Sequence, residues 1–167
     1  MEKHNKLNKT LISACIISVI FLIIDQITKI IFINGDINVI IIKNVLELHT
    51  VYNKGGAFGV GQGNTAMFII TNLVVLGLII RFIYLQKDLM NKTTLYSLFA
   101  ILTGGFGNLI DRLVHGFVID FIKIFPVTNF PNFNFADIYI TTGWVILAFS
   151  FAVYSYNEIK NTKKNKE

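Results

Sequence analysis

Between Leu11 and Ile33 the chain runs almost wholly apolar for about 23 residues, roughly 34 Å as a helix, enough to cross a hydrocarbon core of about 30 Å. Such a segment commits the chain to a bilayer. Three further runs, about 66–85, 95–113 and 137–156, repeat the pattern. The expected fold class is therefore an α-helical membrane protein with four transmembrane helices, and residues 1–167 read as a single integral membrane domain. Composition agrees, with 53% hydrophobic residues, 15% charged ones and a mean hydropathy of +0.60. A net charge of +5 would suit nucleic acid, but the basic residues gather in short segments between and beyond the apolar runs, so no nucleic-acid partner is expected.

That placement orients the chain. Residues 1–10, the connection after the second run and the C-terminal tail hold most of the Lys and Arg, which puts both termini in the cytoplasm. Asp25, the glycine-rich stretch after Asn53, Asp120 and Asp137 then all fall on the extracytoplasmic side, although they are far apart in sequence. The single Cys15 excludes an internal disulfide or cysteine cluster and is read as a packing residue. Ile12-Ser13-Ala14-Cys15 has the look of a lipoprotein cleavage box. Lys9 and Thr10 precede it, however, and the apolar run follows it, so the first span is expected to stay uncleaved.

From residue 34 to 64 the pattern changes to β-branched runs between turn residues. Asn38–Lys43 and Val45–Tyr52 read as strands of a small extracytoplasmic sheet on the membrane surface, the second with Leu46, Leu48 and Thr50 on one face and Glu47, His49 and Val51 on the other. Residues 53–63 (NKGGAFGVGQG) form a glycine-rich loop carrying Phe58, readable as a flexible connection or as a cover over a site. It fits neither the phosphate-loop nor the dinucleotide pattern.

Polar residues inside membrane spans are costly and usually have a task. Asp25 and Lys29 stand four residues apart on one helical face, either as a mutually neutralised pair or facing protein and a water-filled cleft. In the third span Gly104, Gly105 and Gly107 permit close helix approach, and Asn108, Asp111, Arg112 and His115 follow at helical spacing. The stretch 117–124 then reads as extended and carries Asp120. A loop bounded by Pro126 and Pro131 and containing Asn129, Asn132 and Asn134 leads to Asp137 at the outer end of the fourth span.

Three histidines without metal-type spacing, and no serine with a matching base, make zinc and serine hydrolysis poor fits, so no metal or cofactor is expected. Two carboxylates can hydrolyse an amide unaided when they share one proton: the ionised member takes a proton from water while the neutral one polarises the carbonyl. Asp120 and Asp137 are the candidate pair. A channel subunit would spread polar residues through the depth of the spans, and a scaffold using its sheet to bind a partner would need neither acid.

The stretches Asp25-Gln26-Ile27-Thr28-Lys29, Asn53-Lys54-Gly55-Gly56-Ala57-Phe58, Gly107-Asn108-Leu109-Ile110-Asp111-Arg112 with Val118-Ile119-Asp120-Phe121, and Phe133-Asn134-Phe135-Ala136-Asp137 resemble the lipoprotein signal peptidases (signal peptidase II), in that family's order and over nearly the whole chain. The resemblance implies an intramembrane aspartic endopeptidase of the bacterial cytoplasmic membrane. Its substrates would be prolipoproteins, cut just before a cysteine already carrying diacylglycerol, and it would work among membrane lipids; nothing in the sequence demands more than a monomer. It also implies catalytic roles for Asp120 and Asp137. Asn108, Arg112 and Asn134 would line or brace the site, Asp25, Lys29, Asn53 and Gly55 would supply polar positions around it, and Asp111 would be structural. Lys54, Gly56, Phe135 and Ile138 depart from the family's usual residues, which implies a loop and pocket shaped differently from those of relatives.

Overall fold

The computed structural model describes residues 2–35, 37–56, 61–126, 128 and 130–164, with side-chain environments from residue 7 to 162. Among them the order is α1 (Glu2–Gly35), β1 (Asn38–Ile42), β2 (Leu46–Asn53), α2 (Thr65–Gln86), α3 (Lys92–His115), β3 (Val118–Ile124) and α4 (Phe135–Lys164). All four helices are long and apolar enough to cross a membrane. α1 and α4 outrun the apolar segments that announce them. The polar stretches 2–10 of α1 and 157–164 of α4 contain neither Pro nor Gly, so nothing local stops the helix where the hydropathy changes.

Three helices begin on asparagine caps. Asn64 Oδ1 accepts from Met67 N, Asn91 Oδ1 from Thr94 N and Asn134 Oδ1 from Asp137 N, each satisfying an amide that a helix start leaves unpaired. α3 ends at Gly116, whose φ of 80° gives the left-handed cap that closes a helix.

α3 is the central helix and packs against the other three. Its glycines are the reason it can. A Cβ on Gly104 would lie 2.1 Å from the Ala136 carbonyl oxygen of α4, one on Gly105 2.7 Å from Leu76 Cδ2 of α2, and one on Gly107 2.6 Å from Asp25 Oδ2 of α1. Three glycines within four residues thus admit three different helices. Leu76, Ile79 and Ile83 of α2, Leu95, Leu98, Ile101, Leu102 and Leu109 of α3, and Leu147 of α4 fill the space between them. Cys15 does not pack inside: it is exposed on the outer face of α1, while its neighbour Ala14 is buried.

The sheet is antiparallel in the order β1-β2-β3. β3 is its third strand, a pairing across 65 (Asn53–Val118) to 78 (Leu46–Ile124) residues that the strand pattern of 38–52 does not announce. The even alternation expected for β2 is interrupted by a bulge between Leu48 and Val51. Leu46–Val51 are all half-buried instead of alternating, and Thr50 Oγ1 donates to the Phe32 carbonyl at 2.8 Å. Beyond the bulge Val51 stands opposite Asp120, and Asn53 opposite Val118. The glycine-rich loop is closed at its base by Gly63 N donating to the Lys54 carbonyl at 3.1 Å. Phe58 and Asn129 lie outside the described residues.

Candidate active site

The two candidate acids come from different kinds of structure. Asp120 sits on β3 between the buried Ile119 and Phe121, and is itself 2% exposed. Asp137 occupies the first turn of α4. Asn134, fully buried, joins them. Its Nδ2 donates to Asp120 Oδ1 at 2.8 Å, while its backbone N donates to Asp137 Oδ2 at 3.1 Å and its Oδ1 accepts from Asp137 N at 3.0 Å. The last two bonds form a reciprocal capping box with Asp in the usual Glu position. The cap that starts α4 is therefore the same device that fixes Asp137 next to Asp120, at the positive end of the helix dipole.

Each acid has a second amide partner. Asn108 Nδ2 donates to Asp137 Oδ1 at 2.8 Å, and Asn53 Nδ2 donates to Asp120 Oδ2 at 2.9 Å. Asn108 Oδ1 accepts from Lys29 Nζ at 3.0 Å and from Asn134 Nδ2 at 3.1 Å. With its oxygen so engaged, its NH2 has one direction left, toward Asp137. Asn53 Oδ1 accepts from Gly55 N at 2.9 Å, and Arg112 donates to the carbonyls of Gly55 and Asn108 at 3.0 and 3.3 Å while lying over the Phe68 ring.

Behind this layer lies a buried ion cluster. Lys29 Nζ is 2.9 Å from Asp25 Oδ2 and 2.9 Å from Asp111 Oδ2, and with Asn108 these use all three of its protons. Asp25 Oδ1 accepts from Ala136 N at 2.9 Å, one residue before Asp137, and Asp111 Oδ2 accepts from Ile119 N at 3.1 Å, one residue before Asp120. The cluster thus grips the backbone next to each acid. The Asp25–Lys29 pair thus faces protein, and its two charges neutralise each other there rather than at the headgroups.

All nine residues expected at the site, Asp25, Lys29, Asn53, Gly55, Asn108, Arg112, Asp120, Asn134 and Asp137, fall in one connected network. Asp111 belongs to its supporting layer. His115 does not join the polar face; it is exposed and stacks on Phe117 at 5.8 Å. Gln26 was not expected among these residues, yet its Nε2 lies 3.1 to 3.2 Å from Asp25 Oδ2, the Gly107 carbonyl and Asp111 Oδ1. Its place directly after Asp25 was the available signal. His49 and Asn132 also meet, with Nε2 and Nδ2 2.9 Å apart.

Asp120 and Asp137 open onto a cleft of about 490 Å³, lined also by Asn53, Gly56, Arg112, Ile138 and Thr141. Gly56 and Ile138, two of the residues expected to shape the pocket differently, line it. Phe135 instead meets Phe121 edge-to-face and stacks on Tyr139, and Lys54 is exposed. Burial pushes the Asp120 carboxyl up to about 7. The negative charge of Asp137 adds to the rise, and hydrogen bonds from Asn53 and Asn134 with the Lys29 charge oppose it. A carboxyl near 7 beside a second carboxyl gives a pair that holds a proton near neutrality, the charge state that two-acid hydrolysis needs.

A family model for signal peptidase (SPase) II matches residues 17–153. The lipoprotein signal peptidase of Shouchella clausii is 33% identical over 154 residues, covering 90% of this chain and 99% of its own. That of Staphylococcus carnosus is 36% identical over 137 residues, covering 78% and 84%. A solved structure described as a bacterial membrane enzyme obtained by the in meso method at 2.3 Å resolution superposes with a TM-score of 0.80 at 27% identity, over 87% of this chain and 90% of that one. A second, at 1.9 Å, gives a TM-score of 0.74 at 28% identity, over 83% and 92%.

Proposed function

The chain belongs to the signal peptidase II family, the peptidases that remove signal peptides from prolipoproteins, and from that premise we propose that Asp120 and Asp137 are its catalytic pair. One observation carries the assignment: two carboxyls from separate elements are both held by Asn134 and both face the same cleft. With one proton between them, the ionised carboxylate draws a proton from water, the resulting hydroxide attacks the scissile carbonyl, and the neutral carboxyl donates to the developing oxyanion. The proton then passes to the leaving amine. Asn53, Asn108 and Asn134 hold the oxygens of the pair in place. Arg112, through the Gly55 carbonyl, fixes the loop at the cleft mouth, and Asp25 and Lys29 hold the backbone and amides from behind.

The substrate is a prolipoprotein whose cysteine already carries diacylglycerol, cut just before that cysteine. Its signal helix and acyl chains stay in lipid beside α2, α3 and α4, while the peptide unwinds into the cleft. The whole chain acts as one membrane domain in the bacterial cytoplasmic membrane. Its termini are cytoplasmic and its site extracytoplasmic, a reading supported by Lys3, Lys6, Lys9, Lys87, Lys92 and the lysines of the tail. The test is cleavage by purified protein of a diacylglyceryl-modified prolipoprotein beside its unlipidated counterpart. The lipidated form should be cut and the other left intact; equal cleavage of both would remove the lipid requirement.

A further inference from the structure

Three asparagines line the cleft, and two of them are spent on the acids. Asn53 and Asn108 each use their NH2 on a carboxylate and their Oδ1 on a donor of the protein. Asn132 is engaged at one end only. Its Nδ2 lies 2.9 Å from Nε2 of His49, and its Oδ1 meets no donor among the described residues. An amide nitrogen only donates, so Nε2 is the acceptor and the imidazole carries its proton on Nδ1. Both residues are half-buried.

The two side chains meet from opposite sides of β3. Leu48 and Val51 stand opposite Ile122 and Asp120, so at the bulge His49 and Thr50 together oppose Phe121. A bulge beside an active site re-aims side chains in this way. Thr50 bonds to the Phe32 carbonyl of α1, and His49 reaches the loop before α4. Beyond β3 that loop is pinned at Phe133, whose carbonyl accepts from Phe121 N and Ile122 N at 3.1 and 2.9 Å and whose N donates to the Ile122 carbonyl at 3.0 Å. The backbone of Asn132 is thus set by its neighbour. Its amide is set, among the described residues, by His49 alone.

A peptide unwound into the cleft has lost its intrahelical bonds and brings bare N–H groups, each costly to leave unpaired away from water. We propose, resting on the peptidase function proposed for this site, that Asn132 is a substrate contact whose Oδ1 accepts one backbone N–H of the unwound peptide, and that His49 is its positioning residue. The imidazole holds Nδ2, so the amide does not turn to offer NH2 in place of oxygen. The contact reads main chain and therefore serves substrates of differing sequence.

Backbone substitution in the substrate tests it. Diacylglyceryl-modified prolipoprotein peptides are made with one N–H at a time replaced by an ester oxygen on either side of the cut, the scissile bond itself left intact. At one position the ester should raise KM of the wild type about two- to tenfold, the loss of one hydrogen bond, and that of Asn132→Ala less than about twofold. On the all-amide peptide Asn132→Ala and His49→Leu should each raise KM by about the same factor with kcat within about twofold, as loss of uniform binding requires. The double variant should do no worse than Asn132→Ala, because the two act as one. His49→Gln, whose Oε1 can accept from Nδ2, should bring KM back to within about twofold of the wild type. If no ester position separates the wild type from Asn132→Ala, the contact is overturned. An unchanged KM in His49→Leu, losses that multiply in the double variant, or a loss that His49→Gln does not restore overturns the positioning role. Failure of the wild type to cut the all-amide peptide would instead overturn the peptidase function, and this contact with it.

Discussion

Replacing Lys29 by Met keeps most of the side-chain volume but removes the ammonium that holds Asp25 and Asp111, each at 2.9 Å, in a place where all three residues are 1% exposed. Removing one partner of a buried ion pair costs about 3–5 kcal/mol, because the remaining charge is left buried without compensation. Lys29 serves two carboxylates, so the upper part of that range is expected. Equilibrium unfolding in mixed micelles of rising SDS content, followed by Trp144 fluorescence, measures it. Lys29→Met/Asp111→Asn removes one of the stranded charges, and the double variant should recover roughly 1–3 kcal/mol relative to the sum of the single losses. A loss under about 1 kcal/mol for Lys29→Met, or strict additivity in the cycle, would refute the view that this cluster anchors the backbone beside both acids.

Other outcomes follow from the same geometry. Asp120 loses its proton as pH rises through about 7, so activity that needs one proton on the pair should fall above that pH. Asn53 donates to the charged form, so Asn53→Ala should move the alkaline limb of the pH–rate profile upward, and a downward shift would contradict the assigned cause. The raised carboxyl also means that the native state binds a proton more tightly than the unfolded chain. Stability should therefore decline as pH rises from the usual carboxylate range, 3.8, to about 7, and Asp120→Asn should flatten that slope in unfolding titrations. Gly104→Ala places a Cβ 2.1 Å from the Ala136 carbonyl. It should destabilise by about 1–3 kcal/mol or more and lower kcat by shifting the start of α4. Gly77→Ala, with nothing within 4 Å, should instead stabilise by about 0.5–1 kcal/mol in the same unfolding assay.

The spans and both strands of the hairpin were legible because hydropathy and β-branched runs are local properties of the chain. Helix lengths were less so: the polar ends of α1 and α4 continue for reasons of helix propensity that hydropathy does not register. The bulge in β2 depends on its partner β3, a long-range pairing, and an even alternation in the sequence cannot announce it. Asp25, Lys29 and the asparagines stood out as polar groups in apolar surroundings, and the family resemblance supplied roles for them. What joins them is three-dimensional: Gln26 bridging α1 to α3, and Asp25 reaching Ala136 N across 111 residues. His115 misled because helical spacing gives the face of a residue but not where the neighbouring helices stop. Cys15 misled because an apolar segment in a membrane has a lipid side as well as a protein side.

Cleavage of a diacylglyceryl-modified prolipoprotein by Asp120→Asn and Asp137→Asn proteins, each shown to be folded and membrane-inserted, tests the central claim most directly. Acid–base groups commonly contribute about 10²–10⁴ in rate; both variants should lose at least that much, with substrate binding retained. Turnover near the wild-type rate by either one would contradict the assignment of the pair.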